Sequence, residues 1–316
     1  MTEPTLNYLL CPDTGAGHRM AYWQWGNPQA EHTVVCVHGL SRQGRDFDVL
    51  AQALVQKAGG NIRVVCPDVA GRGQSDWLAD PMAYQLPTYV ADMLALLAHL
   101  KPAILDWVGT SMGGLIGLGV TSVLSTAGPS QGAKAPPGGS AAHAVASVGV
   151  RRLVLNDVGP VVQWNSIVRI AAYLGKSMQF ASLQQAADAM WSVSTSFGPH
   201  TPAQWLELSR HMVKPLPVGQ AGVTLHYDPA IAVPVRAMTQ EMAVQGETAL
   251  WQLYDAIAAQ TLLLRGADSD LLSPATAAQM TQRGPRARLV EFAGVGHAPT
   301  LISDDQVQAV TSFLLE

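Results

Sequence analysis

The chain has 316 residues, 48% hydrophobic and only 13% charged, with a net charge of −4. That length and apolar content can bury a core without disulfide or metal staples, and they exclude an intrinsically disordered chain. No run of Lys and Arg reaches four residues, so the basic patch that follows a phosphate backbone is missing and nucleic acid is excluded as a partner. At about 150 residues per domain the length allows two domains, or one domain with an insertion.

The opening stretch, MTEPTLNYLLCPD, lacks a basic segment ahead of a long apolar one, so no secretory leader is expected. Met20–Gly26 alternates in polarity and is expected to pair with the N-terminal segment as an antiparallel edge hairpin. Cys11, Cys36 and Cys66 are odd in number and form no C-x-x-C pair. Buried, reduced thiols and a cytoplasmic location are the expectation. Short apolar runs follow at Thr33–Val37, Ile62–Cys66, Ile104–Val108, Arg152–Leu155, Thr261–Leu264 and Arg288–Phe292. Helical patterns alternate with them at Asp46–Lys57, Pro87–Leu100, Met112–Leu124, Pro274–Arg283 and Asp304–Leu315. Continuous apolar strands alternating with helices predict an α/β fold with a mostly parallel sheet covered on both faces. The most apolar helix, Met112–Leu124, is too short to span a membrane.

Two stretches break the alternation. In Gly128–Ser147, sixteen of twenty residues are Gly, Ala, Pro or Ser, which predicts a flexible surface insertion that builds no core. From Gly159 to Ala258 apolar residues fall at helical spacing, as in Trp164, Ile167, Ile170 and Leu174, with no convincing strand. A helical subdomain over 159–258 is expected, inserted into a core of 1–158 and 259–316.

The strand at Ile104–Val108 runs into Gly109-Thr110-Ser111-Met112-Gly113 and then a helix. This is G-x-S-x-G where its chemistry requires it: a sharp strand-to-helix turn whose flanking residues must be small, with the serine aimed at a helix N-terminus. A serine hydroxyl needs a base to become a nucleophile, and a histidine held by a carboxylate supplies one. Of the nine histidines, His297 sits in the loop Gly294-Val295-Gly296-His297-Ala298-Pro299, between the last strand and the last helix. The carboxylate is sought after the strand Thr261–Leu264, in Gly266-Ala267-Asp268-Ser269-Asp270. Asp270 is favoured, Asp268 is the alternative, and Asp157, after Leu155-Asn156, is a distant third. An oxyanion needs two backbone N–H donors. Met112, next to the serine, is one; Leu40, in the loop His38-Gly39-Leu40-Ser41, is the other. Gly39 is expected to take a backbone conformation that other residues resist, and His38 to bond loop backbone. No metal or cofactor is required, and no Cys/His set has zinc spacing.

Together, HGL at 38–40, CPDVAGRGQSD at 66–76, GTSMGG at 109–114, LLLRGADSD at 262–270 and GVGHAP at 294–299 resemble the α/β-hydrolase superfamily. The resemblance implies an eight-stranded sheet, a helical cap between strands six and seven, and acyl-enzyme chemistry at an ester or similar carbonyl. Ser111 at the nucleophile position disfavours the branches that carry Asp there. The expected activity is that of a serine carboxylesterase on a small-molecule ester. A lactonase or a carbon–carbon bond hydrolase would use the same triad, and a slow-turnover ligand receptor on the same fold is the rival of another class. The Met- and Trp-containing 159–258 segment suggests an apolar substrate group. Arg42 and Arg45, near the oxyanion loop, could serve a carboxylate, although solvated loop arginines are the favoured reading.

Overall fold

A computed structural model describes residues 3–13, 15–126 and 148–316. The Gly128–Ser147 insertion lies outside these residues. The N-terminal segment and MAYWQWG form the expected antiparallel hairpin, β1 (Thr5–Cys11) and β2 (His18–Gly26). The apolar runs become β3 (His32–Val37), β4 (Arg63–Pro67), β5 (Ile104–Thr110) and β6 (Val150–Asn156). After an inserted segment carrying β7 (Gln179–Phe180), β8 (Val213–Pro215) and β9 (Val223–Leu225) come β10 (Gln260–Gly266) and β11 (Arg288–Phe292). The main sheet has eight strands in the order β1-β2-β4-β3-β5-β6-β10-β11. From β4 to β11 every pairing is parallel.

Side chains alternate between the two faces of a strand, and each face here is buried in its own core. Val34, Cys36, Val64, Cys66, Leu262 and Leu264 belong to one core with Leu50 and Phe313. Val35, Val37, Val65 and Leu263 belong to the other with Leu97 and Ile116. Helices α1 (Asp48–Lys57), α2 (Leu86–Leu100) and α3 (Met112–Thr126) supply part of this cover, α2 packing on α3. Pro87 sits in the first turn of α2, where its missing N–H costs nothing.

Between β6 and β10 lie α4 (Trp164–Tyr173), α5 (Leu183–Trp191), α6 (Pro202–Arg210), α7 (Ala232–Ala237) and α8 (Gln240–Asp255). This helical cap also carries the antiparallel sheet β7-β9-β8, against the expectation of no strand there. These strands are two and three residues long, too short for alternation to register in the sequence. A left-handed Gly222 (φ 115°) closes the β8–β9 hairpin against Phe180; a Cβ there would lie 2.4 Å from the Phe180 carbonyl oxygen. Finally α9 (Pro274–Met280) and α10 (Asp304–Leu315) complete the core, α10 packing on α1. Among the described residues no helix is long and apolar enough to cross a membrane.

Candidate active site

Ser111 occupies the turn between β5 and α3 with φ 52°, a left-handed conformation rare for a residue with a side chain. Its flanking glycines make that turn possible. A Cβ on Gly109 would stand 2.3 Å from the Gly113 carbonyl oxygen, and one on Gly113 would stand 2.0 Å from that of Val37. The Ser111 N–H donates to Asn156 O at 2.9 Å, which ties the turn to the end of β6.

The ring of His297 bridges two side chains. Its Nε2 lies 2.9 Å from Ser111 Oγ and its Nδ1 lies 2.7 Å from Asp157 Oδ2. Asp157 follows β6 directly and is wholly buried, with φ 55°. Its Oδ1 accepts from the Gly266 N–H at 3.0 Å, and its Oδ2 accepts from the Ser269 hydroxyl at 2.6 Å.

The structure therefore corrects the expected carboxylate. Asp270 is exposed and takes the Arg169 guanidinium on both oxygens, at 2.8 and 3.0 Å. Asp268 is also exposed, and among the described residues its carboxylate meets neither His297 nor a cation. The reason lies in the sheet order. Strand β6 sits between β5 and β10, with Asn156 level with both Thr110 and Leu264, so the next residue reaches both the serine turn and the histidine loop. After β10 the chain turns tightly, Ser269 N–H donating to Gly266 O at 2.9 Å, and carries Asp270 to the surface. The signal in the sequence was an Asp immediately beyond a strand end, the same relation that Ser111 has to β5.

Leu40 and Met112 flank the serine from two sides, at the loop after β3 and at the start of α3. Among the described residues neither N–H has a protein acceptor. Gly39 does not need the special backbone expected of it: it is not among the positive-φ glycines, and a Cβ there would meet Ser111 Cβ at an ordinary 3.7 Å. Rigidity comes from the neighbours. His38 is buried, with Nδ1 2.7 Å from Gly39 O, and its Nε2 accepts from the Val69 N–H at 2.9 Å. Burial pushes its pKa down to about 3, so the ring is neutral. Arg72, also wholly buried, donates from Nε to Leu40 O at 2.8 Å and from Nη1 to Tyr89 Oη at 2.9 Å. Sequence reading missed Arg72 and Asn156, whose Nδ2 donates to Thr110 Oγ1 and Pro299 O.

Ser111 and His297 open into a cavity of about 350 Å³. The cap supplies most of its apolar wall, including Ile170, Met178, Met190, Phe197, Met212 and Tyr227. Of the cap methionines, Met178, Met190 and Met212 line the cavity, whereas Trp191 and Trp205 pack on each other with ring centroids 4.9 Å apart. Arg42 lines the cavity but gives Nε and Nη2 to Asp46 at 2.6 and 2.8 Å. Arg45 is held likewise by Asp48. Away from the cavity, on the edge hairpin and α2, Cys11, His18 and Asp92 bring possible metal ligands within 4.8 Å of one another. There His18 Nε2 lies 3.0 Å from Asp92 Oδ2.

Comparison with known proteins shows the family and the fold. Residues 34–311 match the profile of the alpha/beta hydrolase family. The chain is 44% identical over 313 residues to a 3-hydroxybutyrate-oligomer hydrolase of Cupriavidus necator, covering 98% of both chains. Among solved structures, an alpha/beta hydrolase from Novosphingobium aromaticivorans is 32% identical with a TM-score of 0.78, over 100% of this chain and 99% of that one. An esterase from Mycobacterium tuberculosis, 20% identical with a TM-score of 0.66 over 100% of this chain and 92% of that one, shares the fold.

Proposed function

This chain belongs to the α/β-hydrolase family, and on that premise we propose that it is a serine ester hydrolase acting on short oligomers of 3-hydroxybutyrate. The observation that carries the mechanism is His297, bridging Ser111 and the buried Asp157 at 2.9 and 2.7 Å on the wall of the cavity. The substrate class rests on the 44% identity to the Cupriavidus necator oligomer hydrolase over 98% of both chains.

His297 Nε2 takes the proton from Ser111 Oγ as that oxygen attacks the ester carbonyl. Asp157 fixes the Nδ1–H tautomer and stabilises the charged ring. The N–H groups of Leu40 and Met112 receive the oxyanion, each worth about 3 kcal/mol to the transition state. His297 then protonates the leaving alcohol oxygen as the carbonyl C–O bond breaks. Water, deprotonated by the same ring, hydrolyses the acyl-serine and restores the enzyme. Residues 159–258 act as the cap that shapes the substrate cavity, and 1–158 with 259–316 act as the core.

The test is hydrolysis of 4-nitrophenyl butyrate and of a 3-hydroxybutyrate trimer by wild type and by Ser111→Ala. Loss of about 10³-fold or more in kcat is expected for both substrates. Full activity in Ser111→Ala would overturn the mechanism. Cleavage of the nitrophenyl ester without the trimer would overturn the substrate class alone.

A further inference from the structure

We propose that Lys176 anchors a carboxylate of the substrate, so that the cavity takes an anionic ester with the carboxylate on its alcohol half. This rests on the ester-hydrolase reading above and adds the residue that selects the charge. Three cationic side chains line the cavity: Arg42, Arg169 and Lys176. Two of them are already neutralised. Arg42 is forked onto Asp46, and Arg169 is forked onto Asp270. Lys176 has no ion-pair partner among the described residues. Lys176 is itself exposed, so its unneutralised ammonium attracts an anion with the modest, salt-screened pull of a solvent-accessible charge.

The backbone that carries Lys176 is fixed. Leu174, just before it, is wholly buried; its N–H donates to Ile170 O at 2.9 Å and its carbonyl accepts from Arg236 Nη2 at 2.6 Å. Gly175 is left-handed (φ 75°), and a Cβ there would meet both Ala232 Cβ and Pro229 O at 2.6 Å. The ammonium therefore swings on its own side chain from a fixed point on the cavity wall. That suits a free carboxylate tethered to the reacting ester, and it fits a 3-hydroxybutyrate oligomer. The alcohol half of each internal ester leads to the terminal carboxylate, while the acyl half ends in a neutral hydroxyl. When Ser111 Oγ bonds to the carbonyl carbon and the C–O bond breaks, the alcohol oxygen takes the proton from His297. The first product then leaves as a hydroxy acid bearing the carboxylate, and the acyl group left on Ser111 is uncharged.

Calorimetric binding to the Ser111→Ala variant keeps turnover out of the measurement, with Ser111→Gly as a second background suited to the left-handed backbone. The probes are the free acid of the 3-hydroxybutyrate trimer and its methyl ester. The free acid is expected to bind about fivefold tighter, the size of one exposed ion pair, and the preference should fade at about 1 M salt. Adding Lys176→Met should bring the ratio to about one, and Lys176→Arg should retain it. No preference for the free acid, or an unchanged ratio with Lys176→Met, overturns the anchor. Binding of neither probe overturns both the anchor and the substrate class. Turnover by the wild-type serine separates the two. A charge-dependent ratio without cleavage supports the anchor and sinks the proposed activity, while cleavage with a charge-blind ratio sinks the anchor only.

Discussion

Asp157 holds three hydrogen-bond donors in a buried position, and that environment keeps a carboxylate where a histidine can lean on it. Replacing it with Asn leaves the shape but offers the wrong partner to Nδ1. Asp157→Asn should lower kcat on 4-nitrophenyl butyrate by about 10³–10⁴-fold, while Asp268→Asn and Asp270→Asn stay within a few-fold of wild type. A dead Asp270→Asn beside an active Asp157→Asn would reverse the assignment. His38 makes a second prediction, about stability. Its folded pKa, about 3, lies below its unfolded value near 6.5. Between those values the unfolded chain binds the extra proton, so stability is full above about pH 6.5 and is lost as pH falls toward 3. The span corresponds to roughly 5 kcal/mol at full titration. Urea titrations at successive pH values should show this decline, and it should be shallower in His38→Asn. An equally steep decline in that variant would refute the assignment.

The strands and their turns were legible because each central strand is a continuous apolar run ending at a chemically demanding turn. Thr33–Val37 and Thr261–Leu264 both fall inside strands of the sheet. The motif Gly109 to Gly113 also specified its own geometry, since both glycines face backbone oxygens at 2.3 Å or less from an added Cβ. Gly113→Ala must push the start of α3 away from β3. A loss of about 3 kcal/mol in urea denaturation is expected, together with near-complete loss of esterase activity; a stable, active Gly113→Ala would show that the turn yields. Strands β7 to β9 were illegible because each is only two or three residues long, and β7 in addition pairs far along the chain, Gln179 with Thr224. The choice among three aspartates was illegible for a related reason. Linear distance from a strand end does not reveal which strand lies beside the serine turn, and only the order β5-β6-β10 decides it.

At the scale of the molecule, hydrogen bonds join the cap to the core at several places, two of which form seams beside residues already described. In one, Asp228 N–H donates to Gly71 O at 2.8 Å and the Tyr84 hydroxyl donates to Asp228 Oδ2 at 2.6 Å. In the other, the Ser166 hydroxyl donates to Asp270 O at 2.7 Å beside the Arg169 fork. Asp270, expected in the chemistry, instead helps hold the cap over it. With both seams closed, the cavity of about 350 Å³ limits the substrate's size from the cap side. Val193 lines that cavity yet is about half exposed, so a larger side chain can enter the free space without overpacking a core. Val193→Trp should therefore remove room for roughly two methylenes at ~0.8 kcal/mol each, raising KM for a long-chain nitrophenyl ester about tenfold. The acetate ester should be cleaved with kcat/KM within about threefold of wild type, since its acyl group stays close to Ser111. A chain-length profile that does not move would mean that the acyl chain leaves the cavity by another route and that the cap does not set the size limit.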